Sequence, residues 1–83
     1  AAICAAPSVL GALGILQGRE AVCYPGFEEK LAGAKTGTQP VAVSGHVTTS
    51  RGMGTAIDFA LELVRQLRGE QEAETLARSI VYR

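Results

Sequence analysis

At 83 residues, 47% hydrophobic and 19% charged, with formal net charge +0, the chain has the composition of a globular domain, not of a disordered or fibrous one. Its eight basic residues are dispersed, with no basic run and no aromatic interleaving, which excludes the footprint of a nucleic-acid binder. Two cysteines and one histidine cannot complete a four-ligand zinc site, so no metal is expected, and the thiols read as free ones in a reducing, cytoplasmic setting.

Ala1 to Leu16 is apolar throughout. It lacks a basic leading region, Pro7, Gly11 and Gly14 interrupt it, and it falls short of the roughly 20 residues of a membrane span. Neither a signal peptide nor a membrane-spanning helix is expected. The run starts as a strand over Ala1–Cys4 with no Met before it. The expectation is that an N-terminal part of the same domain lies elsewhere, upstream or as a separate chain.

Within this run, Ala1-Ala2-Ile3-Cys4-Ala5-Ala6-Pro7 has the pattern of a strand turning sharply into a helix, with Cys4 on the bend. Such a bend leaves little room, so the positions two before and two after the reactive residue must be small. Ala2 and Ala6 satisfy this, where hydrolase elbows usually carry glycine. A cysteine at a helix N-terminus meets free N–H groups and partial positive charge, which favour thiolate over thiol. The competing reading is a small apolar core residue ahead of an ordinary helix.

Pro7 suits a first helical turn. Val9, Leu10, Leu13 and Leu16 recur at helical spacing, predicting a helix over Ser8–Leu16 with Gly18 as its cap. Gly11 and Gly14 weaken it by roughly 1 kcal/mol each but allow close packing on a sheet. Glu20–Tyr24, bounded by Gly18 and Pro25-Gly26, reads as a second strand. Phe27–Leu31 reads as one or two helical turns, and Ala32–Gln39 as loop. Val41–Val43 and Val47–Ser50 are β-branched runs joined by Ser44-Gly45-His46, a hairpin turn.

Ser50-Arg51-Gly52-Met53-Gly54-Thr55 has two glycines between strand and helix. It lacks a third glycine and a Lys-Ser/Thr ending, so tight chain reversal is favoured over a phosphate loop. Thr55 and Asp58 are spaced as a capping box. Ile57, Ala60, Leu61, Val64 and Leu67 make an apolar stripe, widened by Phe59 and Leu63, that belongs against a sheet. Gly69 stops this helix. Ala73, Leu76, Ala77 and Ile80 mark a shorter one, with Glu74 and Arg78 at i,i+4 spacing. The order β-α-β-(α)-β-β-α-α predicts an open, largely parallel sheet covered by helices on both faces. Eighty-three residues are few for such a sheet, whose central strands need neighbours from outside this chain.

Several side chains compete for attention. His46 is the sole histidine but sits in the hairpin turn, where a solvated role is favoured over that of a base for Cys4. Cys23 on the second strand reads as buried and inert, and a Cys4–Cys23 disulfide is not expected in a reducing compartment. Tyr24 could line a pocket or simply pack. Arg51 is placed to pair with an acid outside this chain or to hold a ligand.

With Cys4 and Gly52 both placed, the chain resembles the ThiJ/PfpI family. The resemblance rests on Ala1-Ala2-Ile3-Cys4-Ala5-Ala6-Pro7 and on Thr49-Ser50-Arg51-Gly52-Met53-Gly54-Thr55-Ala56-Ile57-Asp58-Phe59-Ala60, in this order and separation. It implies a flavodoxin-like three-layer α/β/α sandwich with a mostly parallel sheet, of which residues 1–83 are the C-terminal half. It also implies a homodimer and no cofactor.

The resemblance further implies that Cys4 is the reactive nucleophile and that the Ala5 backbone N–H is one oxyanion donor. A glutamate hydrogen-bonded to the cysteine would come from the other half. Many members carry a histidine near the thiol where this chain has Tyr24. Met53 replaces the usual proline, altering the pocket wall. The implied activity is cysteine-dependent, cofactor-independent chemistry on small reactive carbonyls, of the glyoxalase or deglycase type. The alternative is a non-enzymatic redox sensor or stress chaperone in which Cys4 becomes a sulfinic acid.

Overall fold

The computed structural model describes residues 1–83. Ala2–Ile3 form strand β1 and Pro7–Ala12 form helix α1. Strand β2 is Glu20–Ala21, followed by a 3-10 turn over Glu28–Lys30 and strand β3, Lys35–Thr36. Strands β4, Val41–Ser44, and β5, Val47–Ser50, make the hairpin read from their β-branched runs. A 3-10 turn over Met53–Thr55 leads into α2, Ala56–Arg68, and α3 covers Glu70–Ser79.

The larger sheet has the order β1-β5-β4. Strand β1 runs parallel to β5, with Ala2 opposite Thr49 and Ile3 opposite Ser50. The hairpin supplies the one antiparallel pairing, since β2 and β3 are also parallel. Strand β5 is central because all four of its residues are buried, and its two faces do different work. On one face, Thr48 Oγ1 accepts a 2.9 Å hydrogen bond from Gln66 Nε2 of α2. On the other, Thr49 Oγ1 accepts from Val22 N–H at 2.9 Å, which ties the segment after β2 to the larger sheet. The core lies on that second face: Leu16, Ala21, Cys23, Leu31 and Val47, flanked by Leu10, Phe27 and Ala34.

Local details depart from the sequence reading in several places. The first two strands are Ala2–Ile3 and Glu20–Ala21, shorter than the Ala1–Cys4 and Glu20–Tyr24 read from the sequence, because Cys4 turns out of the extended conformation and Val22 bonds to a side chain, Thr49 Oγ1, instead of a strand backbone. Helix α1 ends at Ala12 instead of Leu16, because the chain turns at Gly14; Leu16 is fully buried beyond the helix. The segment Ala32–Gln39 is not all loop, since Lys35 and Thr36 pair with Glu20 and Ala21. Thr55 does not cap toward Asp58. Its hydroxyl turns back, accepting from Gly52 N–H at 3.1 Å and Arg51 N–H at 3.2 Å. Glu74 and Arg78 form no ion pair; Arg78 Nη2 reaches Thr75 Oγ1 at 3.5 Å instead. The pairs that do form on these helices are Arg65 with Glu62 and, more loosely at 3.9 Å, with Glu70; the Arg65 guanidinium hydrogen bonds hold the Glu62 carboxyl below the usual carboxylate range.

The apolar stripe of α2 is only half covered. No α2 residue is buried, and Ile57 and Leu67 are 52% and 80% exposed. Val9 and Leu13 of α1 and its following turn are exposed as well. No helix is long and apolar enough to cross a membrane.

Gly11 marks the tightest packing contact. A Cβ there would collide with the Lys30 carbonyl oxygen and lie 2.9 Å from Leu31 Cα, so backbone of the 3-10 segment, and not the sheet, is what α1 approaches. Neither atom can swing aside as a side chain would. Gly11→Ala is expected to destabilise the whole protein by about 2 kcal/mol. Urea denaturation of the variant against wild type checks this.

Candidate active site

Cys4 has φ 66°, in the left-handed region that residues carrying a Cβ rarely adopt. The surrounding bonds explain how it is held there. Its N–H donates to Ser50 O at 3.1 Å, continuing the β1–β5 pairing, and its carbonyl accepts from Tyr24 N–H at 2.8 Å. Ala6 N–H closes the bend on Ile3 O at 3.1 Å. Ser8 then fixes Ala5 O twice, from its N–H at 3.1 Å and its hydroxyl at 2.6 Å. Held strain of this kind costs about 1–3 kcal/mol and clusters at functional sites. Of the two small residues the bend calls for, Ala2 is buried beneath it and Ala6 is exposed.

The thiol side chain is half-buried and hydrogen-bonds no other group of the chain. The Ala5 N–H beside it also has no acceptor within the chain. Helix α1 follows Cys4 but has only six residues, so the fixed N–H groups of the bend matter more here than a long helix dipole.

Tyr24 stands next to Cys4 through its backbone bond. Its ring packs edge-on to Phe27, with centroids 6.3 Å apart, and covers Gly52, where an added Cβ would lie 3.5 Å from Tyr24 Cδ1. Met53, the next residue, is 93% exposed. Thus the two motifs meet at one place: Cys4 bonds to Ser50, and Tyr24 rests on Gly52. His46 lies in the turn at the opposite end of β5, about 13 Å from the Ser50 end by strand rise, and is exposed.

Arg51 forms no ion pair within the chain. Its Nε is enclosed without an acceptor, and Nη1 reaches Thr38 O at 3.5 Å. Cys23 is buried, and burial pushes its thiol above the ordinary range; the Glu28 charge adds to this, while Arg51 and the Phe27 N–H oppose it. The one cavity, about 280 Å³, is an open groove between α2 and α3 that includes Leu61, Arg65, Ala73 and Tyr82; neither Cys4 nor Tyr24 lines it. No three His, Cys, Asp or Glu side chains come together as a metal site. Ser50 and Thr55 take a role that their place in the motif did not reveal. Ser50 Oγ lies 2.7 Å from Thr55 Oγ1 and donates to Pro40 O at 2.6 Å, fixing the strand end that in turn holds Cys4.

The sequence model of the DJ-1/PfpI family matches residues 1–66, both motifs included. The chain belongs to the DJ-1/PfpI family. Protein DJ-1 homolog B of Arabidopsis thaliana is 44% identical over 100% of this chain and 19% of its own length. The glutathione-independent glyoxalase DJR-1.2 of Caenorhabditis elegans is 38% identical over 95% of this chain and 43% of its own. The structure of oxidized Toxoplasma gondii DJ-1 superposes with TM-score 0.88 at 40% identity, covering 98% of this chain and 45% of that one. The chain therefore spans less than half the length of these DJ-1 relatives, and its fold is their flavodoxin-like α/β arrangement.

The two cysteines can be tested separately. Because position 4 is left-handed, Cys4→Gly should be about 1 kcal/mol more stable than Cys4→Ala, although both delete the thiol; denaturant midpoints of the two variants decide it. For Cys23, the folded thiol keeps its proton above the pH at which the unfolded chain releases it. The unfolded state then binds fewer protons, so unfolding free energy should fall as pH rises past the ordinary thiol value of 9.0. Cys23→Ala should lose that dependence in denaturation curves taken from pH 7 upward.

Proposed function

We propose that residues 1–83 are the C-terminal half of one domain and carry its nucleophile, Cys4, which attacks small reactive carbonyls such as methylglyoxal. The observation that carries this reading is the left-handed, doubly pinned backbone of Cys4 beside an unused Ala5 N–H. The nematode relative, a glutathione-independent glyoxalase, supports it. Addition of the Cys4 sulfur to the aldehyde carbon forms a C–S bond, and the oxygen takes a proton to give a hemithioacetal. The Ala5 N–H is the donor for the developing oxyanion. A proton then moves from the former aldehyde carbon to its neighbour through an enediol, leaving a thioester. Water cleaves the C–S bond, releasing lactate and restoring the thiol. The sum is methylglyoxal plus water to lactate, with no electron carrier needed.

The proton shift requires an acid/base close to the substrate. No side chain of this chain hydrogen-bonds Cys4 Sγ, so in this reading the base comes from the N-terminal half. Tyr24 and Met53 form the near wall of the pocket that the same half completes. Exposed Val9, Leu13, Ile57 and Leu67 offer apolar surface to it and to a second copy of the domain.

One observation favours a second reading. With Tyr24 as the residue bonded to the Cys4 carbonyl and His46 at the far end of β5, the chain supplies no Cys–His pair, and Cys4 would act as a peroxide sensor, its sulfinate held by the Ala5 N–H. Lactate production from methylglyoxal separates the two. The whole protein should turn over and Cys4→Ser should fall at least a hundredfold. Equal rates in the two would end the carbonyl reading.

A further inference from the structure

The two cysteines lie nineteen positions apart in sequence (23 against 4), yet the fold brings their backbones together. The Tyr24 N–H bonds to the Cys4 carbonyl at 2.8 Å, so the residue before Tyr24 is the cross-strand neighbour of Cys4. Ordinary peptide and hydrogen-bond dimensions then put the Cys4 and Cys23 Cα atoms about 5–6 Å apart. Disulfides span Cα separations of about 4.4–6.8 Å. Both cysteines are free, Cys4 half-buried and Cys23 buried.

We propose that Cys23 is a resolving thiol for Cys4, converting its peroxide-oxidised form into an intramolecular Cys4–Cys23 disulfide. The inference rests on the reading of Cys4 as the reactive thiol. The Cys4 thiolate attacks one oxygen of hydrogen peroxide; the O–O bond breaks, an S–O bond forms, and hydroxide leaves and takes a proton to become water. The Cys23 sulfur then attacks the sulfenic sulfur. An S–S bond forms, the S–OH bond breaks, and that hydroxide takes the Cys23 proton to leave as water. Two thiols have lost two electrons and one peroxide has become two waters. An external thiol reopens the bridge by exchange.

Opposing this is the cost of making Cys23 a thiolate in the core, with Glu28 nearby. Favouring it are the nearby Arg51 charge and the high effective concentration of a neighbouring sulfur, against which further peroxide must compete from solution. The bridge would keep Cys4 from the irreversible sulfinic stage. It would also remove the nucleophile, so peroxide would suspend carbonyl chemistry reversibly.

The test treats the whole wild-type protein with one equivalent of hydrogen peroxide, blocks remaining thiols with iodoacetamide, and maps non-reduced peptides by mass. The expected result is a linked pair of peptides containing Cys4 and Cys23, released by dithiothreitol. Cys23→Ala should instead accumulate Cys4 sulfinic acid several-fold faster than wild type. Cys4 sulfinic acid at equal rates in both, with no linked peptide, overturns the resolving role and leaves Cys4 reactive. An unmodified Cys4 overturns the reactive reading as well. The wild-type map decides the matter even if Cys23→Ala fails to fold.

Discussion

The structure depends on how one residue's peptide groups are held. Cys4 sits at φ 66°, and nothing local favours that for a residue with a Cβ. Ser50 and Tyr24 supply the compensation by taking its N–H and its carbonyl at once. Each of these partners is itself fixed: Ser50 by hydroxyl bonds to Pro40 and Thr55, Tyr24 by packing on Phe27 and Gly52. The bend is therefore imposed from two separate parts of the chain, which explains why the motif around Cys4 and the motif around Gly52 occur together.

The same arrangement links packing to chemistry. At φ 66° Cys4 leaves the extended conformation of β1, so its side chain departs from the strand's alternation between faces. The Ala5 N–H is left without a partner because the bend turns it away from the ladder. An unpaired donor in a half-buried place is normally a cost. Next to a sulfur that develops negative charge or carries oxygen, it becomes a binding group. Strain, donor and nucleophile thus arise from one backbone geometry, supported from below by a β5 strand whose four residues are all buried.

Much of this was legible in the sequence. Small residues around Cys4, the β-branched runs flanking Gly45-His46 and the stop at Gly69 each carry a strong local signal, and each stands where that signal places it; the stripe of α2 forms a helix as read but is left half uncovered. The misses have physical reasons. Leu13 and Leu16 continued a helical period beyond Ala12 because a turn happened to keep the spacing. Strand β3 has two polar, exposed residues and pairs through backbone alone, which leaves no pattern to read. Thr55 looked like a cap for helix α2, but the N–H groups of Arg51 and Gly52 had the prior need of an acceptor. The hydroxyl ties of Thr48 and Thr49 were invisible because β-branching alone already accounted for both residues.

Gly69 governs how helices α2 and α3 are joined. It is the last residue of one cap and the first of the next, with φ 95° and ψ 164°, and nothing lies within 4 Å of where its Cβ would be. Room is plentiful there; the torsion is what only glycine tolerates. The turn between the final two helices thus depends on a rotation about one bond pair at a residue that nothing crowds. A survey that ranked positions by crowding would pass over the residue that sets the direction of the chain's last ten-residue helix.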